Sequence, residues 1–279
     1  MKRPDFRAKK GFPLIMGILN ITPDSFYEKS RITNGRAAAG KAGEMIESGA
    51  DIIDIGGEST KPGSPGVDTQ TELARVIPAI REIRDAYPEA LISIDTVKEE
   101  VAEAALFEGA SIINDISGLK KGPGKAAIAV KYGAALILGH IQGTPANMQD
   151  SPEYENPVSE IKEFLERAAE KGLSAGLKKE EIIIDPGIGF GKSFEHNTAI
   201  LRGIGSFNKT GYPVLIGLSR KSYFKTLLGN TPEERLAGTI SADIFAAEKG
   251  ADILRVHDVK EAVDSLKTYL FLTERHGAL

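Results

Sequence analysis

The sequence contains no cysteine. Disulfides, thiolate nucleophiles and cysteine-based zinc sites are therefore excluded together, and a cytoplasmic setting is expected. Charge of one sign is also missing: the formal net charge is −4, with no long run of like residues. That argues against nucleic acid or an acidic membrane surface as partner. No apolar stretch reaches the length of a membrane span. The basic MKRPDFRAKK followed by FPLIMGILNI mimics the first two parts of a signal peptide. A polar turn, Asn20-Ile21-Thr22-Pro23-Asp24, then stands where a small-residue cleavage site belongs, so the run is read as a buried first strand. Nucleotide fingerprints are absent as well. In IIIDPGIGFGKS (182–193), counting back five from Gly191 lands on Pro186, and Gly187-x-Gly189-x-Gly191 has the wrong spacing for a dinucleotide turn.

What is present is the composition of a globular protein: 279 residues, 41% hydrophobic and 27% charged. Eight short apolar runs recur along it: 14–20, 50–57, 91–96, 111–117, 134–140, 182–187, 213–220 and 251–258. They are continuous rather than alternating, which is the pattern of parallel strands covered on both faces. Helical patterns lie between them. Leu73, Val76, Ile77, Ile80 and Ile83 share one face, with a kink expected at Pro78, and Val101, Ala104, Ala105 and Phe107 line the next helix. Asn156-Pro157 reads as a cap followed by a first-turn proline, and 231–234 and 258–261 read as capping boxes. Gly109 and Gly250 stand where helices should stop. Strand–helix alternation repeated eight times predicts an α/β fold, a (β/α)8 barrel forming one domain over 1–279 with its core at about 14–275. An open doubly wound sheet is the other reading. The longer connections, 21–34, 58–70, 141–156 and the one after strand 7, follow the C-terminal ends of strands, where barrels build active sites.

Alternation of side chains along a strand tests that expectation. Met16, Ile18 and Asn20 share a face, as do Ile52 and Asp54, Ser93 and Asp95, Ile112 and Asn114, and Ile183 and Asp185. Ile253, Arg255 and His257 do the same, and so do Gly217, Ser219 and, if the strand extends that far, Lys221. Apolar residues thus give way to polar ones at the strand ends on one face. A mouth filled with Asn, Asp, Lys, Arg and His is costly unless these groups bind something or each other. Asp54, Asp95, Asp185 and Asn114 suit a planar ligand edge rich in N–H donors. Lys221, Arg255, His257 and Asn20 suit an anion such as phosphate. No His/carboxylate triad has the spacing of a protein-only metal site, which leaves open a Mg²⁺ held by few side chains and by substrate phosphates. Asp115, Asp258 and Thr96 read as cap or turn residues and Arg220 as a structural ion pair.

Taken in order, the motifs GILNITPDSF (17–26), DIGGESTKPG (54–63), IDT (94–96), IND (113–115), HIQGTP (140–145), DPGIGFGK (185–192), SRKS (219–222) and RVHD (255–258) resemble those of dihydropteroate synthase, of the pterin-binding enzymes, over almost the whole chain. The resemblance implies a TIM barrel and a transferase of folate biosynthesis. Such an enzyme condenses 6-hydroxymethyl-7,8-dihydropterin pyrophosphate with p-aminobenzoate, releases dihydropteroate and pyrophosphate, and is the target of sulfonamides. It implies pterin contacts at Asp95, Asn114, Asp185, Phe190, Lys221 and Arg255, and catalytic roles for Lys221, Asp95, Asp185 and Arg255. Pyrophosphate falls to Asn20, Thr60, Lys61, Arg255 and His257, with Asn20 also reaching Mg²⁺. Phe26, Pro62, Lys221 and Ser222 shape the p-aminobenzoate pocket. A homodimer is implied too.

The chain departs from that pattern at Glu28, where the first loop lacks its usual aspartate and following glycines, at Lys61 in place of arginine, and at Gly139 in place of methionine. These positions bear on loop closure, turnover and drug sensitivity. Two other functions share the barrel: a methyltetrahydrofolate-dependent methyltransferase, which SRKS and the two anion-binding loops argue against, and a non-catalytic pterin-binding paralogue, which would bind pterin without condensing it.

Overall fold

A computed structural model describes residues 5–9, 12–21, 35–59, 63–64 and 66–273. The strands are β1 (Leu14–Asn20), β2 (Ile52–Gly56), β3 (Leu91–Asp95), β4 (Ile112–Asp115), β5 (Ala135–Gly139), β6 (Ile182–Asp185), β7 (Leu215–Ile216) and β8 (Ile253–Val256). The helices are α1 (Gly35–Glu47), α2 (Thr69–Ala86), α3 (Glu99–Phe107), α4 (Gly124–Tyr132), α5 (Pro157–Ser174), α6 (Phe194–Arg202), α7 (Ile204–Asn208), α8 (Tyr223–Leu228), α9 (Leu236–Glu248) and α10 (Val259–Leu272). All strand pairs are parallel, in the order β6-β5-β4-β3-β2-β1-β8-β7. A parallel bridge between Ile184 and Val214 joins the two ends, with the Ile184 N–H donating to the Pro213 carbonyl at 3.0 Å. The sheet is a closed eight-stranded barrel, as the repeated alternation predicts.

Two apolar layers follow from strand parity. Ile15, Leu19, Ile53, Ile55, Ile92, Ile94 and Ile113 pack outward with the helices. Met16, Ile52, Ile112, Ile137, Ile183, Leu215 and Ile253 form a separate cluster that fills the barrel, with Phe6 against it. The segment carrying Phe6 lies across the N-terminal ends of the strands: Arg7 donates to the Gly211 carbonyl at 2.6 Å, and the Ala8 N–H to Asp252 at 3.0 Å. The barrel interior is therefore filled by apolar side chains at its base, and the inward-facing polar residues of the strands gather at the opposite end.

α2 holds Pro78 within its length. Two local expectations need correction. Phe107 is 75% exposed, and Leu106 takes the inward place on α3 instead. Asp258 makes no side-chain cap at α10, because Arg220 engages it. The Asn156 cap and the Thr231/Glu234 box form as expected, the latter opening a 3-10 turn. Gly109 and Gly250 have φ of 103° and 96°, conformations that favour glycine.

Candidate active site

Register brings the mouth residues level. Gly56 pairs with Asp95, Asp95 with Asn114, and Met16 with Arg255. Arg255 donates from Nε to Asp54 Oδ2 at 2.6 Å and from a terminal nitrogen to Asp95 Oδ2 at 2.8 Å. Asn114 Nδ2 donates to the same Asp54 oxygen at 3.2 Å. Burial works against the Arg255 charge, but Asp54 and Asp95 outweigh it and hold the guanidinium above its ordinary pKa. Burial pushes the Asp95 carboxyl up, to about 7, against the pull of Arg255. The carboxylates and the basic groups, separated above into ring-binding and anion-binding sets, thus form one network: buried charges pair before any ligand arrives. Asp54 Oδ1 and Ser93 Oγ, in register on neighbouring strands, are buried and unpartnered among the described atoms.

Asn20 ends β1 half-buried. A methyl group on Gly56 would lie 3.4 Å from Asn20 Oδ1 and 3.8 Å from Asp95 Cβ, so the two side chains flank that glycine. His257 Nδ1 lies 2.9 Å from Ser219 Oγ. Burial, then Arg255, depresses its pKa to about 4, so its imidazole is neutral at pH 7.

Asp185 closes β6 and accepts the Gly187 N–H at 2.7 Å. Burial raises its carboxyl, and Lys221 opposes that most strongly. The following glycines are the answer to the failed phosphate-loop spacing. Gly187, Gly189 and Gly191 have φ of 68°, 81° and 63°, so each alternate residue is left-handed. The resulting loop places the Phe190 ring 4.4 Å, centroid to Nζ, from Lys221.

Lys221 reaches the mouth by a different route from the one parity predicts. β7 stops at Ile216, and Arg220 has φ 55°. Arg220 is fixed there by two 2.8 Å bonds to Asp258 and by the Pro232 and Glu233 carbonyls. Lys221 then turns inward and donates to the Ile188 carbonyl. Burial lowers its pKa to about 8, against Asp185. Ser222 follows at the α8 N-cap, exposed and without a side-chain cap bond, so it lies beside Lys221 but outside the network.

The structure therefore brings together Asn20, Asp95, Asn114, Asp185, Phe190, Lys221, Arg255 and His257. Phe26, Thr60, Lys61 and Pro62, with the departure at Glu28, lie outside the described residues. At Gly139 a Cβ would stand 2.7 Å from Ile116 Cα, so backbone closes the wall where the methionine is missing. Among the described residues no three His, Asp or Glu side chains group as a metal site, and no helix is long and apolar enough to cross a membrane. Sequence reasoning passed over Lys192, a buried lysine in the last position of DPGIGFGK; its signal was a charge inside a glycine loop that fits no phosphate motif.

Comparison with known proteins bears on this mouth. A model of the pterin-binding enzymes matches residues 16–257. Dihydropteroate synthase of Haemophilus influenzae is 43% identical, over 92% of this chain and 93% of that protein. The Escherichia coli dihydropteroate synthase is 42% identical, over 91% and 90%. Among solved structures, the Yersinia pestis dihydropteroate synthase with a sulfonamide drug complex superposes with a TM-score of 0.89 at 40% identity, covering 94% of both chains. The Xanthomonas albilineans enzyme in complex with 7,8-dihydropteroate gives 0.82 at 37% identity, again over 94% of both.

Proposed function

We propose a division of labour at the barrel mouth from the premise that this chain belongs to the pterin-binding enzymes and, within them, to the dihydropteroate synthases. The reaction breaks the bond between the pterin methylene carbon and its pyrophosphate oxygen, and the bonding pair leaves with pyrophosphate. The amine of p-aminobenzoate supplies the new carbon–nitrogen bond and loses a proton. The observation that carries the assignment is the Arg255 network with Asp185 and Lys221 beside it at the C-terminal end of the strands.

Asp185 accepts from the donor edge of the pterin ring, and Asn114 and Asp95 complement it from the facing strands. The flat guanidinium of Arg255, pinned by two carboxylates, offers a planar face to the ring and positive charge toward the departing oxygen. Lys221 is a donor between the pterin and p-aminobenzoate, with Phe190 beside it. Nearby carboxylates stabilise positive charge that develops at the methylene as the leaving group departs. Asn20 and His257 face the pyrophosphate, with Thr60 and Lys61 from the second loop. Phe26, Pro62 and Ser222 border p-aminobenzoate, where a sulfonamide would compete.

The donor set suits Mg²⁺ brought in with the substrate. Asn20 supplies one neutral, hard oxygen, and no cluster of acids competes for the ion among the described residues. Asn20 would hold it, and the ion would supply charge neutralisation on the pyrophosphate. We further propose a cytoplasmic homodimer; Leu227 and Leu228 on α8 and Phe271 and Leu272 on α10 are exposed apolar groups for such a contact. Light scattering giving a monomer would refute it.

The deciding experiment mixes purified protein, the dihydropterin pyrophosphate and labelled p-aminobenzoate, with and without Mg²⁺. Mg²⁺-dependent dihydropteroate is the expected product. Pterin binding without product would instead identify a non-catalytic binder.

A further inference from the structure

Lys192 is 3% exposed, and none of its side-chain hydrogen bonds among the described residues goes to a carboxylate. Its ammonium lies 2.9 Å from the Phe190 carbonyl, 3.2 Å from the His140 carbonyl and 3.0 Å from His140 Nδ1. The nitrogen thus meets three polar atoms without a direct ion pair. Two of those acceptors belong to the residue after β5 and one to the loop after β6. The side chain therefore ties one strand end to the loop that starts at Asp185. The His140 N–H adds a bond to the Asp185 carbonyl at 3.0 Å.

The loop makes little hydrogen bonding of its own beyond the Phe190 N–H to the Gly187 carbonyl. It is held by side chains instead. The carbonyls of Ile188, Gly189, Phe190 and Gly191 accept from Lys221, Gln149, Lys192 and Tyr154 in turn. Lys192 is the fully buried member of that set, and the one that also bonds His140, the residue directly after β5. His140 is neutral, its pKa depressed to about 2 by burial and then by Lys192, and in the tautomer with its proton on Nε2 its Nδ1 accepts from Lys192. Burial likewise pushes the Lys192 ammonium down, and Asp185 opposes it. A core filler at this place would be apolar, because enclosing an amine without a direct ion pair is expensive.

We propose that Lys192 is a positioning residue for pterin recognition: by bonding the Phe190 carbonyl and both acceptors of His140, it sets the loop that carries Asp185 and Phe190. The proposal rests on the assignment of that loop to the pterin ring.

The test uses the full chain with Lys192→Met, and Lys192→Gln beside it, which keeps an amide donor. In the ligand-free protein, the amide NMR signals of Gly187, Gly189 and Gly191 should move in Lys192→Met. Its Kd for the dihydropterin pyrophosphate should rise about tenfold or more while KM for p-aminobenzoate changes little, and Lys192→Gln should recover part of the loss. Wild-type glycine signals with a wild-type pterin Kd would overturn the proposal. So would failure of both variants to fold, which would make Lys192 a folding residue. Asp185→Asn separates the remaining case. If it weakens pterin binding while Lys192→Met does not, the positioning role is wrong. If neither variant changes pterin binding although the glycine signals move, the pterin assignment of the loop is wrong and the tie stands.

Discussion

The Nε of Arg255 donates to Oδ2 of Asp54 at 2.6 Å across the barrel interior, and the same guanidinium holds Asp95. One cation thus serves two buried carboxylates. In Arg255→Met both acids stay buried without their cation, Asp54 keeping only the Asn114 amide, which should destabilise the fold by about 3–5 kcal/mol. The deficit should depend on pH. Without the arginine, the Asp95 carboxyl, already raised to about 7 by burial, loses the charge that opposes the rise, so the folded state binds more protons than the unfolded one and stability falls as pH rises. Urea titrations at pH 5 and pH 8 should therefore show the larger loss at pH 8. Equal losses would mean the acids are not charged partners of Arg255.

Asp185→Asn should separate binding from folding. The amide oxygen can still accept the Gly187 N–H, so the loop should keep its shape. What disappears is the charged acceptor for the pterin edge, worth about 1.5–3 kcal/mol. Calorimetry should show a weakened pterin with a stability near wild type. Unchanged affinity would remove Asp185 from the recognition set.

Most of the mouth was legible because strand parity is a two-residue rule that survives without tertiary information. It placed Asn20, Asp95, Asn114, Asp185, Arg255 and His257 on the face that also carries Met16, Ile52, Ile112, Ile183 and Ile253 inside the barrel. It failed where the chain leaves the strand. Lys221 follows Arg220 in a left-handed conformation, and an arginine there persists only because Asp258 and two carbonyls hold it. The same pairing diverts Asp258 from the cap that local spacing predicts. Long-range partners decide both, and spacing along the chain carries no trace of them. Lys192 was missed for a related reason: its three acceptors lie on two different strand ends.

The glycines of the Asp185 loop offer a sharper mutational contrast than its side chains. At Gly187 φ is 68°, and a Cβ would stand well inside contact distance of the His140 carbonyl. At Gly133 φ is 67°, and a Cβ would meet nothing within 4 Å. Alanine at Gly133 should therefore show the left-handed penalty alone, about 1–2 kcal/mol. Alanine at Gly187 should add a steric term of about 1–3 kcal/mol and shift the tie between β5 and the loop. Urea unfolding of the pair measures the difference directly. Equal losses would show that the backbone around His140 relaxes without resistance.

His257 gives the pyrophosphate assignment its own test. In the free protein burial and Arg255 depress its pKa to about 4, so at pH 6 the imidazole is almost wholly neutral. An anion placed beside it favours the charged form and raises that pKa. Binding pyrophosphate at pH 6 should then draw protons from solution, up to about one per site, because the bound state holds more protons than the free one. Calorimetry in two buffers of different ionisation enthalpy reads that uptake from the difference in apparent heat. His257→Gln, which cannot be protonated, should abolish most of it. Equal proton uptake by wild type and His257→Gln at pH 6 would place the pyrophosphate away from His257, leaving Arg255, Asn20 and the second loop as its remaining candidates.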